Sequence, residues 1–206
     1  MIDRRSRTEI QRVCTHIISR ERHARTGRIG LWWTGDGIGT DTIHLDDVGL
    51  HRQGTDEVQP LTTLHELAAW AGVDLSADYF AGKDALGAGD PDAKLQIDRD
   101  ALTELVALYR WAWQVLEPTA GGAPITLWPE HFDAAYIWQD KANIGVSPGD
   151  DQIATPYLYL GPWTDDRPGT SDFWNAPFGA TLPAPATKEA ATTFIAEGQA
   201  RLGMPT

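Results

Sequence analysis

His131 and Asp133 stand two residues apart in the stretch LWPEHFD (127–133), the spacing at which side chains of an extended strand share one face. Such a pair can do either of two things. The carboxylate can orient the imidazole as a general base, or both groups can hold a metal ion. Glu130 precedes the pair, and Asp150 and Asp151 follow in VSPGDDQ (146–152). Catalytic zinc takes three protein ligands and keeps one position open. His131 and Asp133 would supply two, with Glu130, Asp150 or Asp151 as the third. The chain has no H-E-x-x-H motif and no cysteine–histidine cluster, so no metal is assigned to the site. A structural reading competes. His131 can be a hydrogen-bonded residue at the head of a strand, and SPGDD (147–151) a turn with Pro148 and Gly149 at its corners and Asp150 bonded to nearby backbone N–H groups.

What turn chemistry does not predict is the density of aromatic residues around these groups. Trp128, Tyr136, Trp138, Tyr157, Tyr159, Trp163 and Trp174 all fall in the same half of the chain. Aromatic walls with a few acids at one end describe many small-ligand pockets. They equally describe a packed sheet, because tryptophan and tyrosine favour strands. The candidate site is therefore His131 and Asp133 as catalytic residues, with Trp128, Glu130, Tyr136, Trp138, Asp150, Asp151, Tyr157, Tyr159, Trp163 and Trp174 as ligand-binding residues. No cofactor is assigned. No G-x-S-x-G elbow is present, and Ser147 precedes a proline turn rather than a helix. Cys14, among Ile10, Val13, Ile17 and Ile18, reads as a small buried hydrophobe. His16, His23 and His65 read as surface or capping residues. TGDGIGT (34–40) superficially resembles a phosphate loop, but TDTIHLDD follows it and reads as strand where such loops need a helix N-terminus. Its glycines are expected to supply positive φ in a hairpin connection.

The elements that must position these groups follow from periodicity and punctuation. Ser6 and Glu9 form an S-x-x-E capping box. Ile10, Val13, Cys14, Ile17 and Ile18 then trace the apolar stripe of a helix that runs to about Arg25 and ends at Gly27. RIGLWWT (28–34), TIHLD (42–46) and VGLHR (48–52) predict short antiparallel strands around a GDGIG loop. Thr63 and Glu66 form a second capping box, for a helix closed by Gly72. Residues 76–97 predict a long surface loop, and Asp98 to Glu117 a third helix stopped by Pro118. ITLW, FDAAYIW (132–138), NIGVS (143–147) and PYLYLG (156–161) read as strands. FWNAPFGATL (173–182) reads as packed but irregular, and Thr187 to Leu202 as a last helix. The order predicts one α+β domain over residues 1–206, with a mostly antiparallel sheet and about four helices.

Composition narrows the function classes. The 206 residues include nine tryptophans and are 42% hydrophobic, enough for a sizeable core. Residues 1–28 hold eight arginines against Asp3, Glu9 and Glu21, a balance of +5, so the rest carries −17 of the net −12. An acidic surface repels phosphate backbones, and no nucleic-acid partner is expected. The arginines are expected on the solvated face of the first helix. One cysteine allows no intrachain disulfide, and no apolar run suits a signal peptide or a membrane span. The expectation is a cytoplasmic protein with no membrane partner.

Taken together, GRIGLWWTGDGIGT, LWPEHFDAAYIW, NIGVSPGDDQIATPYLYLGPW and FWNAPFGATL resemble an uncharacterised family of actinobacterial proteins, a domain of unknown function, over about Thr8 to Leu202. The resemblance implies a single intact domain in a cytoplasmic bacterial protein and supplies no activity. The family's glycine loop is associated with T-P-G-G-F-G-T-P, from which Thr34 to Asp41 depart. The reading favoured by the residues is a small-molecule-binding α+β domain. One alternative is a hydrolase or lyase in which Asp133 orients His131 as base, with or without a divalent metal. Another is an interaction protein that presents Trp32 or Trp33 and the arginine-rich helix.

Overall fold

The computed structural model describes residues 2–203. The chain forms two compact units, one of residues 1–107 and 127–132, the other of 108–126 and 133–206. The fold is α+β, with two antiparallel five-stranded sheets among the described residues.

The first unit begins with a continuous helix. Helix α1 (Arg4–Val13) passes through a π-helical stretch (Cys14–Ser19) into α2 (Arg20–Thr26). Its cap is Asp3, whose carboxylate accepts the backbone N–H of Ser6 at 2.9 Å. The Ser6–Glu9 box does not form. The Ser6 hydroxyl instead accepts the Asp98 backbone N–H, and Glu9 pairs with Arg12. Gly27 closes the helix in the left-handed conformation, φ 72°, as its position predicts. Ile10, Val13, Cys14, Ile17 and Ile18 are fully buried. The π-helical stretch packs against strands of the first sheet and against the next helix.

That sheet runs in sequence order: β1 (Trp32–Trp33), β2 (Ile38–Gly39), β3 (Ile43–Leu45), β4 (Leu50–Arg52) and β5 (Val58–Gln59). The GDGIG loop was expected to be free of strand, yet Ile38 and Gly39 pair with both neighbours. The reason is close approach. A Cβ on Gly37 would collide with the Leu45 carbonyl, and one on Gly39 with that of Ile43. Only Gly35 of this loop has positive φ, 103°. Helix α3 (Leu64–Ala71) has the predicted box: the Thr63 hydroxyl accepts the Glu66 N–H at 3.1 Å. The mostly exposed segment that follows is tied down by Leu95, whose N–H reaches the Thr62 carbonyl.

Helix α4 (Arg99–Leu116) contains the boundary between the units, and Asp98 caps it through the N–H groups of Asp100 and Ala101. The second sheet has the order β10-β9-β8-β7-β6, from β6 (Thr126–Trp128), β7 (Asp133–Trp138), β8 (Ala142–Ser147), β9 (Tyr157–Pro162) and β10 (Ala180–Pro183). In the second unit, paired residues across this sheet share a face. Tyr136, Ile144, Leu160 and Ala180 align on one face, with α5 (Lys188–Gly203) packed on β9 and β10. Ala191 and Ile195 of α5 are fully buried, and Gly198 leaves room for Leu160. Ala135, Gly145, Tyr159 and Thr181 align on the opposite face.

Candidate functional site

The residues singled out from sequence separate into distinct surroundings. His131 lies in a turn before β7 with 60% of its side chain exposed, 4.0 Å from Glu130. Phe132 has positive φ, 55°, so the extended run that would place His131 and Asp133 on one face starts only at Asp133. Glu130 is occupied locally: it accepts the Asp84 N–H at 2.9 Å and closes against Gly82, where a Cβ would strike its carboxylate. Trp128 is 43% exposed.

In the second unit the tyrosines part company. Tyr136 faces the core, where its hydroxyl donates to Thr119 and accepts from Gln199. Trp138, on the same face by alternation, is half-buried near Lys141. Trp163 is exposed with its indole N–H on Asn143, while half-buried Trp174 donates to the Pro168 carbonyl and meets Phe173 edge-on. Asp151 is exposed.

The remaining four converge. Tyr157 and Tyr159, two apart on β9, share a face with ring centroids 6.1 Å apart, and Phe178 touches both. The Tyr159 hydroxyl donates to Asp133 Oδ2, and the Tyr157 hydroxyl to Asp150 Oδ2. Gly145, paired with Tyr159, leaves the space that its hydroxyl needs. Asp150 is also the anchor of its own turn, accepting the N–H groups of Gln152 and Ile153. Burial, followed by the adjacent carboxylates, holds both phenols well above the usual tyrosine range. They remain neutral donors at physiological pH. The cluster therefore fixes two carboxylates between aromatic rings and offers no tyrosinate base.

A second cluster escaped the sequence reading. On the β3–β4 hairpin of the first unit, His44 pairs directly with His51, and their rings stack at 4.9 Å and 8°. Asp46, two residues after His44, turns the chain: its Oδ1 accepts the N–H groups of Val48 and Gly49 at 2.7 and 3.0 Å. Its Oδ2 lies 2.8 Å from His51 Nε2. Burial and then repulsion from His51 lower the His44 pKa below the usual histidine value. Burial pushes the Asp46 carboxyl up, but the two N–H donors and His51 outweigh it, and the group stays ionised. The signal was legible as H-x-D followed by a second histidine across a short turn. It is the same spacing that drew attention to His131 and Asp133.

Comparison of the chain with protein-family models, curated proteins and solved structures finds no match.

Proposed function

We propose that the protein binds a small organic molecule carrying a positively charged group, on the face of the second sheet formed by Asp133, Ser147, Tyr157 and Tyr159. One observation carries the reading: Asp133 and Asp150 are each fixed by a neutral phenol on one aromatic-walled face. Carboxylates fixed in this way offer a preorganised negative charge that an incoming cation complements. The rings of Tyr157, Tyr159 and Phe178 add apolar area and favourable quadrupole faces for an ammonium or guanidinium group. The hydrolase alternative built on His131 gains no support from a solvent-facing imidazole that follows a proline turn. The interaction alternative loses one of its surfaces, since Trp32 is half-buried beneath Arg22.

The buried, solitary Cys14 suits a reducing cytoplasm, where we place this activity. The resemblance to an actinobacterial family of unknown function agrees with a bacterial cytoplasmic protein and adds no activity.

Thermal shift against a panel of diamines, guanidinium compounds, sugars and carboxylic acids tests the proposal. Amines or guanidinium compounds should raise the melting temperature, by the mass-action stabilisation of the folded state. Asp133→Asn and Tyr159→Phe should abolish that shift. Stabilisation by carboxylic acids alone, or an undiminished amine response in Asp133→Asn, would overturn it.

A further inference from the structure

The hairpin cluster of the first unit is independent of that face and has its own chemistry. We propose that His44, Asp46 and His51 form a binding site for a divalent transition-metal ion, zinc foremost, with an open position for water or a substrate group.

Three observations lead there. First, one donor atom from each of the three side chains lies within 4.8 Å of the other two. Zinc bonds of about 2.0–2.1 Å place tetrahedral donors about 3.4 Å apart, so closure draws the donors together and turns one of the two stacked rings, because a bound ion lies in the plane of each imidazole. Second, one buried imidazole nitrogen is not absorbed by a structural hydrogen bond. His44 is 7% exposed, and its Nδ1 is buried without a hydrogen-bond partner. His51 Nε2 already lies 2.8 Å from Asp46 Oδ2, so two of the three donors are in contact. Buried polar atoms in native proteins nearly always have a partner, and His44 Nδ1, on a ring of this cluster, has none, which a bound ion would supply.

Third, the supporting shell is built. The Val48 and Gly49 N–H groups take Asp46 Oδ1 and leave Oδ2 turned toward His51. Gly37 and Gly39 let the preceding loop press on His44, at distances no side chain would allow. Fixed ligand orientation is what such outer contacts provide. Asp36, exposed on the same loop, adds negative charge beside His44.

The donor set also selects the ion. Two imidazoles and one carboxylate suit zinc, iron(II), cobalt or nickel, whereas magnesium and calcium prefer all-oxygen shells. Three protein ligands and an open position match the pattern of catalytic rather than structural zinc.

The experiment uses the full-length, tag-free chain, stripped with a chelator and titrated with zinc chloride by calorimetry, with cobalt(II) absorption as a second readout. Wild type should bind one zinc ion and give the intense visible bands of low-coordinate cobalt. Asp46→Asn keeps the Oδ1 acceptor of the turn while removing the anionic ligand, and His51→Gln replaces a partly exposed ring. Each should weaken zinc binding by more than about 100-fold, beyond the loss a supporting residue causes. His65→Gln, a control outside the cluster, should bind like wild type. Circular dichroism checks that each variant is folded. Absence of one-to-one binding to wild type, or equal affinity in folded Asp46→Asn and His51→Gln, would overturn the proposal.

Discussion

A phenol donating to a carboxylate is a small contact with measurable consequences. Tyr159 and Asp133 form such a contact, and replacing Tyr159 by Phe removes that hydrogen bond to the carboxylate. Hydrogen bonds to charged groups contribute roughly 1.5–3 kcal/mol, so urea denaturation of Tyr159→Phe should show a loss of about that size. The same pair sets a pH dependence. Burial and then the neighbouring carboxylates raise the folded-state pKa of Tyr157 and Tyr159 above the ordinary value of 10.0. A raised pKa means that the folded state holds the proton more tightly. Its stabilisation is complete below pH 10.0 and is lost as the pH climbs past that value. Wild type should therefore lose stability steeply in alkali, and the Tyr157→Phe/Tyr159→Phe double variant should follow a flatter curve. Cys14 illustrates burial without function. It has no exposed surface, and its thiol is pushed well above the usual range. A bulky thiol reagent should label it only after unfolding, through local opening.

Among the elements, the β2–β3 pairing is sensitive to a single methyl group. Gly37 and Gly39 lie outside positive φ, so their role is proximity rather than conformation. Gly39→Ala would force Cβ into the Ile43 carbonyl and the His44 backbone. Overpacking of this kind costs about 1–3 kcal/mol or more, and chemical denaturation should show it. The substitution should also displace His44 and so weaken zinc binding. Helix α1 gives a milder test. Its cap is Asp3 rather than Ser6, and Asp3→Ala should cost about 0.5–2 kcal/mol.

At the level of the whole molecule, charge decides which partners are admitted. The first 28 residues are basic, yet several of their arginines are used within the first unit. Arg25 pairs with Glu21 and Asp41, Arg20 covers Tyr79, and Arg22 covers Trp32 and donates to the Gly30 carbonyl. With a net charge of −12, binding to DNA or RNA should be undetectable at physiological salt. A tight, salt-sensitive oligonucleotide shift would contradict this. Among the described residues no helix is long and apolar enough to cross a membrane.

The α+β class, the helices and the longer strands were legible in the sequence, whereas β2, read as loop, β10, read as irregular, and β5 were not, because two- to four-residue strands are set by their partners. Helix stripes, capping residues, Gly27 and Gly72 act over a few neighbouring positions, so their signal is local. Thr63 capped its helix as read, and β7, β8 and β9 lie within two residues of their predicted bounds. What only the tertiary structure decided was which chemically capable groups meet. His131 and Asp133 share a strand spacing in the text, but a left-handed Phe132 breaks the strand between them. His44 and His51 are seven positions apart, and hairpin register alone brings them face to face. Tyr159 meets Asp133 because β8 lies between their strands and contributes Gly145 where any side chain would block the hydroxyl. Register and close approach are properties of paired strands. No single stretch of sequence contains them.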